Sequence, residues 1–98
     1  QKPFFLYFSP TIPHADLDIM GEAMTEYEGE FCETPFGGSR DGYKSQQNPR
    51  AAYAAMVTYL DKSVGLIIKE LKEKGLYDHT IIVFTSDNGV HSEGGHHL

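Results

Sequence analysis

The sequence predicts an α/β fold: one βαβ unit with a long loop, belonging to a larger, mostly parallel sheet. Dense apolar runs stand toward both ends ("PFFLYF" and "TIIVFT"), and a long helical pattern lies between them. Neither run alternates in polarity, as expected of strands buried on both faces. Two parallel strands joined by a helix need a right-handed crossover, and they cannot cover themselves. The 98 residues are therefore read as a single partial domain, cut from something longer or paired with another copy of itself.

The first strand is placed at 3–9, a run between Pro3 and Pro10 that is too short for a helix. Residues 10–47 show no sustained period and contain Pro13, Gly21, Gly29, Pro35, Gly37, Gly38 and Gly42, so they read as a long loop with a short helical piece around 16–24. The acids of this loop, Asp16, Asp18, Glu22, Glu26, Glu28, Glu30 and Glu33, read as a solvated face. The helix is placed at 49–74. Asn48 is the expected N-cap and Pro49 the first helical residue. Tyr53, Met56, Val57, Leu60, Val64, Ile67, Ile68 and Leu71 recur three and four apart. Lys69, Lys72 and Lys74 suit the C-terminal end of the dipole, and Gly75 suits the C′ position. Gly65 inside the helix suggests close packing on a sheet. The second strand is placed at 80–85, rich in β-branched residues, and a site loop at 86–98.

Bulk chemistry narrows the function. A net charge of -6 argues against nucleic acid, whose phosphates need clustered Lys and Arg. No uninterrupted apolar run approaches the roughly 20 residues of a membrane span. Cys32 is the single cysteine, so no internal disulfide is possible. Acids flank it and no activating pattern surrounds it, so it is read as structural or incidental.

Ligands of open α/β sheets sit beyond the carboxyl ends of the strands. "SPTIPH", with His14, and "SDNGVH", with Asp87, Asn88 and His91, both fall there. Asp87 and Asn88 offer one charged and one neutral oxygen donor, a pair that suits a hard cation such as Ca²⁺ or Mg²⁺. Asp-Asn-Gly is equally good turn material. His14 could contact an anion or move a proton, or simply be solvated. His91, His96 and His97 form a histidine-rich tail without regular ligand spacing. Asp61, beside Lys62 in the helix, reads as a surface charge or a helix-to-loop hydrogen bond.

The stretches "KPFFLYFSPTIPHA" and "YAAMVTYLDKSVGLIIKELKEKGLYDHTIIVFTSDNGVHSEGGH" closely resemble the sulfatase family of the alkaline phosphatase superfamily. The resemblance covers residues 2–14 and 49–96 in the family's order; the middle loop gives no support. It implies a fold of the alkaline phosphatase/sulfatase type and hydrolysis of sulfate esters. It implies that Asp87 and Asn88 ligate a divalent cation, usually Ca²⁺, and that His14 contacts the sulfate. The family's nucleophile is formylglycine, made in a Cys/Ser-x-Pro/Ala-x-Arg motif. Cys32 does not match that motif, being followed by Glu33, Thr34, Pro35 and Phe36. The nucleophile and the remaining ligands are thus expected outside this stretch, which alone should be inactive. Asp16 stands where many relatives carry Pro. Zinc-using phosphodiesterase-like members tend to carry Asp-His-Gly where this chain has Asp87-Asn88-Gly89, which favours sulfate chemistry over the alternative, a phosphate or phosphonate ester hydrolase. A non-catalytic homologue is the other alternative. The resemblance further implies a sulfated small molecule or glycan as substrate and an exported parent protein, periplasmic, extracellular or lysosomal. Self-association of the fragment would follow from its open strand edges.

Overall fold

The computed structural model describes residues 2–40 and 42–89. His91, His96 and His97 lie outside the described residues. Among the described residues there are two α-helices, α1, Gly21–Met24, and α2, Pro49–Glu73, with a 3-10 turn at Tyr77–His79. The radius of gyration is 16.5 Å with extents of 51 × 27 × 23 Å, against about 13 Å for a compact chain of this length. The elongation comes from α2, since 25 helical residues span about 37 Å.

Pro49 starts α2 where a missing N–H costs nothing. Asn48 precedes it, but its side chain makes no capping bond. The cap comes from a residue distant in sequence. The Glu33 carboxylate accepts from the N–H of Arg50 at 2.9 Å and from the N–H of Ala51 at 2.8 Å. An anion placed there also complements the positive end of the helix dipole. The other end stops in a Schellman motif. Gly75 turns left-handed at φ +66°, Leu76 N–H donates to Leu71 O at 2.8 Å, and Gly75 N–H donates to Lys72 O at 3.0 Å. No atom lies within 4 Å of a Cβ built on Gly65, so the close packing suggested there is not made by the described residues.

The core is formed by Leu17, Met24, Ala51, Ala52, Ala55 and Met56, with Ile12, Ile19, Ala23, Tyr27 and Tyr53 packed against it. Every buried residue of α2 lies between Pro49 and Met56. The small Ala51, Ala52 and Ala55 let the loop backbone approach, and Leu17 and Met56 fill the space. So the segment read as a long loop with a short helical piece, where α1 now stands, folds onto the first two turns of α2. Gln46 holds it there. It exchanges 2.8 Å backbone bonds with Phe36, its amide N–H donates to Leu17 O at 3.1 Å, and its amide oxygen accepts from Asn48 N–H at 3.1 Å. The Tyr27 and Thr58 hydroxyls hydrogen-bond across to the helix.

Segments 3–9 and 80–85 carry no strand pairing among the described residues; the only bridge there is antiparallel, Phe36 to Gln46. Phe5, Tyr7, Ile81, Val83 and Phe84 are exposed, Ile81 at 93%. A parallel sheet satisfies its strands only through neighbours on both edges and cover on both faces. Phe4 and Leu6 instead line an open groove of about 410 Å³ with Leu66, Ile67, Leu71 and Leu76 of the far half of α2 and its exit. By length and composition alone α2 could cross a membrane, a test that core helices of soluble proteins also pass.

Candidate functional site

His14 lies two residues after Ile12, the first residue that packs against the core, and it is exposed. Its Nδ1 accepts the N–H of Asp16 at 3.1 Å. Its ring meets Tyr43 edge to face, with centroids 5.7 Å apart and planes at 87°. Asp16 in turn accepts the N–H of Lys44 on Oδ1 at 2.9 Å. The Lys44 ammonium pairs with the Asp18 carboxylate. That hydrogen bond, and then the charge of Asp18, raise the Lys44 pKa above 10.5. Asp16, Asp18 and Glu33, read from the sequence as a solvated face, are therefore engaged in the loop's own structure. Local pattern could not show this, because their partners lie 17 to 28 residues away.

Asp87 and Asn88 sit in a bend after segment 80–86, both exposed. The Ser86 hydroxyl donates to Asn88 O, and the Asn88 amide N–H donates to Gly89 O at 2.7 Å. This commits the amide nitrogen to the turn and leaves its oxygen as the side chain's remaining acceptor. Turn chemistry and oxygen-donor chemistry thus coexist in the same residues. One carboxylate and one amide oxygen fit a hard cation, though they supply few of the roughly 6–8 oxygens that surround Ca²⁺. Among the described residues, no group of three or more His, Cys, Asp or Glu side chains is gathered as a metal site. No hydrogen bond, ion pair or ring contact among them joins His14 to Asp87 or Asn88. Their juxtaposition depends on segments 3–9 and 80–85 lying side by side in a sheet.

Cys32 is exposed and free, and its carbonyl accepts the Arg50 guanidinium Nη1 at 2.7 Å. Asp61 is exposed on α2. Sequence reasoning missed Glu33 as a cap and Tyr43 as the ring beside His14. For Tyr43 only Gly38, five residues before it, offered a signal: it takes φ +89°, and a Cβ there would lie 2.9 Å from Tyr43 O.

The chain belongs to the sulfatase family, whose sequence profile, described as Sulfatase, matches residues 1–98. It is 36% identical over 94 residues to the uncharacterized sulfatase YdeN of Escherichia coli, covering 96% of this chain and 14% of that protein. It is 32% identical over 115 residues to human N-sulphoglucosamine sulphohydrolase, covering 92% of this chain and 22% of that protein. It is 43% identical over 49 residues to the multifunctional alkaline phosphatase superfamily protein PehA of Trinickia caryophylli, covering 50% of this chain and 9% of that protein. The chain thus spans between 9% and 22% of the length of these relatives. No solved structure gives a significant match.

Proposed function

We propose that this chain is a segment of a sulfate-ester hydrolase and supplies part of its active site. The observation that carries the reading is the family match over residues 1–98. In this reading Asp87 and Asn88 give oxygen ligands to a divalent cation, with Ca²⁺ favoured by the hard donor set. When bound, the cation would stabilise negative charge on the sulfuryl oxygens. Gly89 allows the backbone to turn after the two ligands. The Asn88 amide nitrogen, held by Gly89 O, keeps the amide oxygen available as a donor to the cation. His14 contacts the sulfate through a ring N–H. The formylglycine nucleophile and the remaining ligands come from other parts of the protein, so the 98 residues alone are inactive. The substrate is a sulfated small molecule or glycan, and the parent is exported.

A second reading keeps the site and changes the ester to phosphate or phosphonate. The match to an alkaline phosphatase superfamily protein supports it. Aryl sulfate and aryl phosphate turnover, measured side by side with the full-length protein that carries this segment, separates the two. Sulfate-ester hydrolysis that is lost in Asp87→Ala is the expected result. Turnover of the phosphate ester alone would move the assignment to the second reading, and turnover of neither would indicate a non-catalytic homologue.

A further inference from the structure

We propose that Tyr43 and Asp16 are positioning residues for His14, holding its imidazole as the Nε2–H tautomer so that Nε2 donates to an anionic ester oxygen. The proposal rests on the reading of His14 as the group that contacts the substrate sulfate.

A neutral imidazole carries one N–H and one bare nitrogen, and a neighbour decides which is which. Here the neighbour is the Asp16 N–H, 3.1 Å from Nδ1. An N–H can donate only to a nitrogen without a proton, so the ring proton is on Nε2. The hydrogen bond fixes the tautomer but leaves the ring free to rock, because the outer torsion of histidine is broad. The Tyr43 ring, at 5.7 Å and 87°, restrains it.

Tyr43 is itself held. Ser39 N–H donates to Tyr43 O at 3.1 Å, and Tyr43 N–H donates to the Ser39 hydroxyl at 3.3 Å. The close approach of Gly38 to Tyr43 O admits no side chain. The next residue ties Tyr43 to the residues just after the histidine. Lys44 N–H donates to Asp16 Oδ1 at 2.9 Å, and the Lys44 ammonium pairs with Asp18. Asp16 therefore serves twice: its N–H sets the imidazole, and its carboxylate anchors the segment that brings Tyr43 to the ring. The imidazole is thus met at Nδ1 by the Asp16 N–H and edge to face by the Tyr43 ring, two contacts that closing the loop alone would not require.

The test is long-range ¹H–¹⁵N NMR of His14 in the full-length protein labelled with ¹⁵N-histidine, together with kcat and KM on an aryl sulfate. The wild type should show the Nε2–H tautomer. Asp16→Pro, which has no N–H, should give a tautomer mixture, whereas Asp16→Ala keeps the N–H and should keep the tautomer. Tyr43→Ala should lower kcat by about 10-fold or more with KM nearly unchanged, as misplacement of a contacting group does. Tyr43→Phe should restore most of that loss. An Nδ1–H tautomer in the wild type, or kcat unmoved by Tyr43→Ala, would overturn the proposal. If His14→Ala turns over like the wild type, the substrate-contact reading of His14 fails instead, and the tautomer readout still decides whether Asp16 sets the ring.

Discussion

Glu33 and Ala51 are joined by a 2.8 Å hydrogen bond from the first turn of α2 to a carboxylate 18 residues earlier in the chain. The same carboxylate takes the Arg50 N–H, so one side chain satisfies both orphan N–H groups that follow Pro49, which has none. Glu33→Ala is expected to cost about 1–2 kcal/mol, the range for loss of an N-cap. Glu33→Gln keeps one acceptor oxygen and should cost less. Urea unfolding of the chain would read this as a lower midpoint with an unchanged slope.

Leu17 is 2% exposed although it lies in a segment with no hydrophobic period. Its neighbours Met24, Ala52 and Met56 leave little room for collapse around a deletion. Leu17→Ala should therefore destabilise the chain by about 2–4 kcal/mol. Exposed Met20, at 70%, gives the control: Met20→Ala in the same loop should stay within about 0.5 kcal/mol.

These two residues mark where the sequence was legible and where it was not. The helix could be read because its signals are local: Pro49 at one end, apolar residues three and four apart, and Gly75 at the other end. The turn at Asp87-Asn88-Gly89 could be read for the same reason. The burial of Leu17 and the cap from Glu33 depend on contacts across the loop, which no window of neighbouring residues encodes. The sheet is a third case. Phe4 to Phe8 and Ile81 to Phe84 have the composition of buried strands, yet such segments pair only when neighbouring strands and covering helices are present. For the candidate site, the sequence offered His14, Asp87 and Asn88 by residue type, whereas the contacts around His14 could not be read from it. Tyr43 and Lys44 reach it from about 30 residues away, in a stretch whose sequence reads only as loop.

Lys44 and Asp18 yield a prediction about pH. The Asp18 hydrogen bond and charge raise the Lys44 pKa above 10.5, so the ammonium binds its proton more tightly in the folded chain than in the unfolded one. The contribution of the pair is fully present below pH 10.5 and is lost as pH rises through the folded value. Asp18→Asn should lower the Lys44 titration midpoint toward 10.5, measured by NMR at the side-chain methylene next to Nζ. Added salt should do the same in part, because both groups are exposed.

Gly65 and Gly75 should respond to the same substitution with opposite sign. Gly75 occupies φ +66°, where an added Cβ is strained even though no atom crowds it, so Gly75→Ala should destabilise by about 1 kcal/mol. Gly65 lies within α2 with open space where its Cβ would be, so Gly65→Ala should stabilise the chain by up to about 1 kcal/mol. Thermal unfolding followed by far-ultraviolet circular dichroism would show both. A sheet packed on α2 in the full-length protein would reverse the Gly65 result there, because the added methyl would meet a neighbour. Comparing Gly65→Ala in the two contexts thus reports whether the exposed half of α2 is covered.

Asp87 and Asn88 are expected to divide the work of holding a cation. The Asp87 carboxylate supplies the charge, so Asp87→Ala should remove saturable Ca²⁺ binding in the full-length protein, measured by calorimetry after chelator treatment. The Asn88 oxygen is expected to supply selectivity. Replacing it with imidazole in Asn88→His exchanges a hard donor for a borderline one, and affinity should move from Ca²⁺ toward Zn²⁺. That variant also loses the amide bond to Gly89 O, so Asn88→Gln serves as the comparison: it keeps an amide oxygen but cannot make the same short turn contact. Weak Ca²⁺ binding by Asn88→Gln with no gain for Zn²⁺ would assign the change in metal preference to the donor atom, not to the turn. Equal Ca²⁺ binding in wild type and Asp87→Ala would place the cation elsewhere and leave the bend as a turn.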